Sequence, residues 1–535
     1  MSENFTRTAG RLLFVIVLAV GAAACVERPA DADNSADQSK AAFDAIVDDV
    51  MVRYQLPGLA VGIIEDGKVA YTRTAGELIA GSGRPVTPDT LFKIASNSKA
   101  MTTGVLARLV DAGKLQWNDP VIRYLPHFQM SDPWVTREMQ VRDLLIHNSG
   151  LREGAGDLML WPEPNLFTRA DIIAGLAHLK PLHSFRSRYD YDNLMYVVAG
   201  EVAAVAAGVP YEELVRRELF TPLQMTRCQV GEWRRDEVGD VAQPHVWQGE
   251  RNVVVRGDDE LVRTSTSAAA GGIRCSLNDM LKWMRMWLDP DLKSELGQPW
   301  LTAVQRETLW GAQMPMPLSP RQRKWDGSRY NAYGYGWRLS DVDGVQRVAH
   351  TGTLSGMFSA VTLLPEKKAG FVFMINGRGA EARTVLNQVL VKHFTAPGTA
   401  SVAYYADELA QERQQPDRSS VPDTSSRQPA TPSALKQWLG VYRDPWFGES
   451  SICVQGDRVR FSSAKSPQLA GDVMLVGNRL LVDWYDERAD AEPWLEFSPP
   501  TRGGSSTLTM AKVDPDADFS NDYEDLFFTR VGNCH

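Results

Sequence analysis

Cysteine is scarce in this chain, with five residues in 535, and none of them forms a CxxC pair. HExxH is also missing, and the eight histidines are scattered. No metal-ligand spacing can therefore be read, and no metal or other cofactor is expected. The net charge is −9 and there is no basic stripe, which argues against a nucleic-acid partner. The GxSxG turn of α/β-hydrolases is lacking too, since "GTLSG" at 352–356 has the wrong spacing. No long internal repeat is found. What remains is the composition of a folded globular protein, 44% apolar and 23% charged, long enough for one large domain and a smaller one.

The N-terminus reads as a leader. Arg7 and Arg11 precede "LLFVIVLAVGAAAC", an apolar run too short for a comfortable membrane span but suited to a signal-peptide core. It ends at Cys25, which resembles the lipidated cysteine of bacterial lipoprotein signals, with Ala22 where such signals usually carry Leu. The expectation is a protein exported to the periplasm or cell envelope of a bacterium, with membrane attachment through Cys25. Simple cleavage to a free chain is the alternative. Residues 1–25 would be the leader and 26–39 a polar, flexible tether. Export permits disulfides. Among Cys228, Cys275, Cys453 and Cys534, the economical pairing is 228–275 with 453–534, against four free thiols.

"GLAVGIIEDGKVAYTRTAGEL" (58–78) reads as two strands joined at Asp66-Gly67. Helical periodicity dominates 97–227, and 333–377 reads as more strands. The expected fold is α+β: an antiparallel sheet built from both ends of residues 40–398, flanked by helices and carrying a helical insertion. Residues 399–432 are expected to be a helix end and a linker, because 411–432 is rich in Pro, Ser and Gln with almost no apolar residues. Residues 433–535 alternate like short strands and should form a small all-β domain. The linker composition implies that few contacts cross it.

One stretch raises a chemical question. In "FKIASNSKAMTT" (92–103), Ser96 and Asn97 precede a run whose apolar spacing predicts a helix from about Asn97 to Ala112, ended by Gly113. If Ser96 caps that helix, the third position holds Lys99, where a capping box wants Glu or Gln. A buried lysine near a positive helix end loses affinity for its proton, and a neutral amine can activate a serine hydroxyl. Residues three apart share a helix face, so Ser96 and Lys99 can meet. Taken alone, the stretch reads as an ordinary capped helix.

Its significance comes from the order of motifs. SxxK is followed about a hundred residues on by Tyr191-Asp192-Asn193, and about 160 later by His350-Thr351-Gly352 on a strand. With "LLIHNSGL", "AAAGGIRCSLNDM", "YGYGW" and "HTGTLSGMFS", this set resembles the serine β-lactamase-like family: class C β-lactamases, low-molecular-weight penicillin-binding proteins and related peptidases and esterases. The resemblance covers about residues 40–395. The tail looks like a small β domain often appended to such hydrolases. The resemblance implies that Ser96 is the nucleophile, that Lys99 and Tyr191 share its proton, and that Asn193 holds Lys99. It also implies that the N–H groups of Ser96 and Thr353 form the oxyanion hole, with Thr351 and Gly352 binding substrate beside them. His350 departs from the lysine that many β-lactamases and DD-peptidases carry to meet a substrate carboxylate. Asp192 adds a negative charge that either raises the His350 pKa or points outward.

These residues favour a hydrolase that forms an acyl-enzyme with small peptides. The family's range includes D-residue peptides, cell-wall stems and linearised non-ribosomal peptides such as opened microcystin. A carboxylesterase is the alternative, followed by a β-lactamase and a non-catalytic penicillin-binding module. Oligomeric state is not legible.

Overall fold

The computed structural model describes residues 30–399, 401–414, 421–486, 488–500 and 504–534. The leader, Cys25 and the start of the expected tether lie outside these. From Ala30 the chain is not a tether but a helix, Ala30–Arg53, consistent with an alanine-rich segment.

The hairpin expected at Asp66-Gly67 is present, joining Gly58–Glu65 to Lys68–Gly76. Gly58–Glu65 then pairs with Ala369–Ile375, more than three hundred residues away. The sheet has eight strands, and the pairings through its centre are antiparallel. From Ala369–Ile375 it continues through Met357–Leu364, Val345–Leu354, Arg338–Val342, Asn331–Tyr333 and Met314–Pro315. Its central strands are buried on both faces; Ala369–Ile375 is buried at every position. Helix Leu277–Leu288 covers one face, its Leu277 and Leu281 seated against Gly62. Helix Ser98–Asp111, which carries Lys99, is preceded by a short 3-10 turn, Ala95–Asn97. Ser96 is therefore not the cap as expected. Asn97 occupies that position, and Ser98 ties back to the Ala95 carbonyl at 2.7 Å.

The last hundred residues form a closed barrel of eight strands, from Gly440–Asp444 to Phe527–Gly532. It closes where Ala470–Val476 pairs with Arg479–Trp484. Alternation is plain in Arg458–Ser463, where every second residue is buried. Both disulfides of the economical pairing are formed: Cys228–Cys275 and Cys453–Cys534.

Two expectations about the linker fail. Part of 399–432 is a separate helix, Val402–Arg413, with Val402, Tyr405 and Leu409 buried on one face. The barrel is also not loosely tethered, for Ile46–His535 form one unit. Leu166 N–H donates to the Lys465 carbonyl, Lys465 pairs with Asp171, and Arg152 pairs with Glu524 and Asp525. Linker composition reports only on the linker; these contacts come from loops distant in sequence.

Candidate active site

The turn carrying Ser96 is held from several sides. Ala95 adopts φ +48°, a left-handed conformation rare for alanine. Ser359 accepts from Asn97 Nδ2 and donates to the Ile94 carbonyl, each at 2.8 Å. A Cβ at Gly352 would come within 2.1 Å of that carbonyl, so strand Val345–Leu354 approaches the turn this closely only with glycine there.

Lys99 is fully buried. Its Nζ lies 3.1 Å from Ser96 Oγ, 2.7 Å from Asn193 Oδ1 and 2.9 Å from the Ala270 carbonyl. Burial lowers its pKa to about 7, with Arg338 adding to the drop and Asp157 and Asp192 opposing it. A neutral amine has two N–H bonds and one lone pair. Asn193 Oδ1 and the carbonyl take the two N–H bonds, so the lone pair is left facing the Ser96 hydroxyl.

The Tyr191 ring lies 4.8 Å from Lys99 Nζ and 4.2 Å from the His147 ring. Burial raises its pKa strongly, while the Ser96 hydroxyl and Arg338 work against this. Tyr191 therefore rests as a phenol. His350 is buried, and burial together with Arg338 and Lys99 drives its pKa well below the usual value. Its Nδ1 lies 2.8 Å from the Thr351 carbonyl, which can only accept, so Nδ1 carries the proton and Nε2 accepts from Tyr333 O–H at 2.9 Å.

Asp192 neither points outward nor reaches His350. It accepts from Leu194 N–H and from Ser149, at the start of helix Leu194–Ala207. The aspartate linked to Lys99 is Asp157, which accepts from Asn193 Nδ2 at 2.8 Å. Sequence reasoning missed it; the only signal was an aspartate in a glycine-rich loop. It also missed Arg338, one residue past the "YGYGW" motif, whose guanidinium stands 5.6 Å from the Tyr191 ring and 5.9 Å from the Tyr333 ring.

Ser96, Tyr191, Asn193, His350, Thr351 and Thr353 all line one cavity of about 620 Å³; Lys99 lies behind Ser96, and Gly352 sits between Thr351 and Thr353 on strand Val345–Leu354. The barrel forms the opposite wall. Arg488, Asp490 and residues 518–521 reach the cavity, with Phe519 5.8 Å from the Tyr191 ring and edge-on to it. Arg338 and Arg383 face the same cavity, and neither pairs with a carboxylate among the described residues. Arg383 donates to the Gly352 carbonyl and to Thr353 Oγ1.

The beta-lactamase family model matches residues 43–393, well over half of the chain. The chain belongs to the beta-lactamase family. It is 26% identical to the unguisins hydrolase ungD′ of Aspergillus campestris, over 68% of this chain and 66% of that protein. It is 27% identical to penicillin-binding protein 4 of Amycolatopsis lactamdurans, over 63% of this chain and 84% of that one. The chain thus spans just under two thirds of the hydrolase it matches. In fold it resembles the octameric penicillin-binding protein homologue from Pyrococcus abyssi, with TM-score 0.57 and 20% identity over 92% of this chain and 99% of that one. For a member of this family, a neutral histidine at position 350 and two unpaired arginines nearby are the local departures that bear on the substrate.

Proposed function

We propose that this beta-lactamase-family hydrolase is an exported amidase that cleaves small peptides through an acyl-enzyme on Ser96. One observation carries the substrate class: the cavity around Ser96 presents charge of both signs. Arg338 and Arg383 line it together with Glu153 and Asp518. A short peptide offers an ammonium and a carboxylate to such a wall, whereas a simple ester offers neither.

The chemistry follows from the lone pair on Lys99. Lys99 Nζ takes the Ser96 proton as Oγ attacks the substrate carbonyl. The N–H groups of Ser96 and Thr353 receive the oxyanion; a lost donor of this kind typically costs ~3–4 kcal/mol of barrier. Tyr191, resting as a phenol, gives its proton to the leaving amine and regains one from the Lys99 ammonium. Water then attacks the acyl-enzyme by the reverse relay, restoring Ser96. Lys99 is the resting base and Tyr191 the shuttle.

A carboxylesterase is the second reading, favoured by the neutral His350 where a fixed cation would otherwise stand. The leader and Cys25 support export and lipid attachment, with the site in the periplasm. Turnover of a panel of short peptides, alkyl esters and one chromogenic cephalosporin by purified protein tests the ranking. Peptides should be the best substrates. Faster turnover of simple esters, or of the cephalosporin, would displace the amidase reading.

A further inference from the structure

The Asn193 amide has two ends, and only one orientation leaves Lys99 free to act. Asp157 Oδ2 accepts from Asn193 Nδ2 at 2.8 Å, which turns Oδ1 toward Lys99 Nζ at 2.7 Å. With the amide reversed, its NH2 would donate into the amine lone pair, and Ser96 would lose its base. Asp157 itself is fully buried, and its Oδ1 has no partner among the described residues.

The barrel holds this aspartate. Ser520 Oγ donates to Asp157 Oδ2 at 2.8 Å. Asp522 accepts from Gly156 N–H at 2.5 Å and from Leu158 N–H at 3.0 Å, bracketing the turn Asp157–Met159. Gly156 sits at φ +77°, and a Cβ there would come within 2.4 Å of Leu194, so the turn is also tight against the helix that starts after Asn193.

We propose that Asp157 is a positioning residue for Lys99, acting through the Asn193 amide, and that Ser520 and Asp522 of the barrel hold Asp157 in place. The proposal rests on the assignment of Ser96 and Lys99 given above. The barrel then belongs to the catalytic apparatus without touching the reacting atoms through this route.

Several charged or titratable groups bear on Lys99. Asp157 and Asp192 favour its protonated form and Arg338 opposes it. Tyr191 and Tyr196 lie within about 5 Å of the amine, at 4.8 and 5.2 Å from ring centroids, and His147 and His350 are both held neutral by burial. Burial pushes the Asp157 pKa well above the usual carboxylate range, with the Ser520 and Asn193 hydrogen bonds opposing this, and burial does the same to Asp522 beside it. Removing the Asp157 oxygen that accepts from Asn193 Nδ2 frees Asn193 to turn, and an amide NH2 donating into the Lys99 lone pair favours the neutral amine and so lowers its proton affinity.

The test is the rate at which a fluorophosphonate labels the full-length protein across about pH 5 to 9. Asp157→Asn should slow labelling at pH 7 by at least about tenfold, the scale of a misplaced base, and shift the acidic limb to lower pH. Ser520→Ala should move rate and limb in the same direction by a smaller amount, and Ser520→Thr, which keeps the hydroxyl, should restore both. A limb at the wild-type position in Asp157→Asn overturns the proposal, whatever the rate. If that variant does not fold, Ser520→Ala decides by the same criterion. Undiminished labelling of Ser96→Ala would instead defeat the nucleophile assignment itself, a separate failure.

Discussion

The two β structures of this chain solve the edge problem differently, and the cavity lies between the solutions. The open sheet must be covered by helices, and on its inner strand Val345–Leu354 the turn carrying Ser96 docks on bare backbone at Gly352. The barrel closes on itself at Ala470–Val476 and Arg479–Trp484, so its core needs no cover and its loops are free to project. The sheet side supplies Lys99, Tyr191 and the hydroxyl of Ser96, the groups proposed to exchange protons. The barrel side supplies Phe519, Asp518 and the Ser520–Asp522 clamp. A reactive site thus needs precision from a packed scaffold, whereas its lid and supports can come from a loop on a second scaffold.

The sharpest break in this comparison is at Ser96. Ser96→Ala should abolish fluorophosphonate labelling, whereas Ser98→Ala should retain much of it, because the Ser98 hydroxyl only ties Ala95 and Ile273 together. Gel fluorescence after labelling checks this. Deleting residues 411–535 should be nearly as damaging, despite the linker composition. It would uncover apolar residues such as Phe167, which packs on Phe447, and remove the clamp on Gly156–Leu158. A soluble, labelled fragment would show that the barrel is only a passenger.

Next come the proton carriers. Lys99→Ala and Tyr191→Phe should each lower kcat by about two orders of magnitude or more. The double variant should be little worse than either, since the two act as a unit. Multiplying losses would separate their roles. His350→Lys should cost about tenfold in activity without speeding acylation by penicillin. Arg338 and Arg383 already disfavour a positive charge at position 350, as does Lys99 when protonated. Stopped-flow acylation by a chromogenic cephalosporin measures it, and a faster rate would restore the lysine-type reading of the site.

The smallest effect is on stability. Lys99 titrates near pH 7 in the folded protein but at its ordinary 10.5 when unfolded. The unfolded chain therefore binds more protons between those values. The burial penalty is full below pH 7 and fades as pH rises toward 10.5. Lys99→Met should raise Tm by several degrees at pH 6 and by much less at pH 10, as read by calorimetry. An equal gain at both would mean that Lys99 keeps its proton in the fold.

Much of the site was legible because its parts are local patterns. SxxK places two side chains on one helix face by spacing alone, and YxN and HTG sit where a loop meets a helix and where a strand reaches its turn. The sheet was legible from a hairpin early and a meander late. Asp157 and Arg338 were not, because nothing in their neighbours marks them. Their meaning lies in partners such as Asn193 and Tyr191, brought close by packing.

Residue order by itself determined the pairing of Ser96 with Lys99, the sheet built from both ends of the domain and the economical disulfide pairing. Only the tertiary structure decided the protonation pattern, since burial sets the proton affinities of Lys99, Tyr191 and His350, and burial is a property of the packed whole. It likewise decided that the barrel belongs to the site. Asp522 meets Gly156 across 366 positions of chain, and no periodicity or composition encodes a contact of that range; it exists because two separately folded surfaces fit.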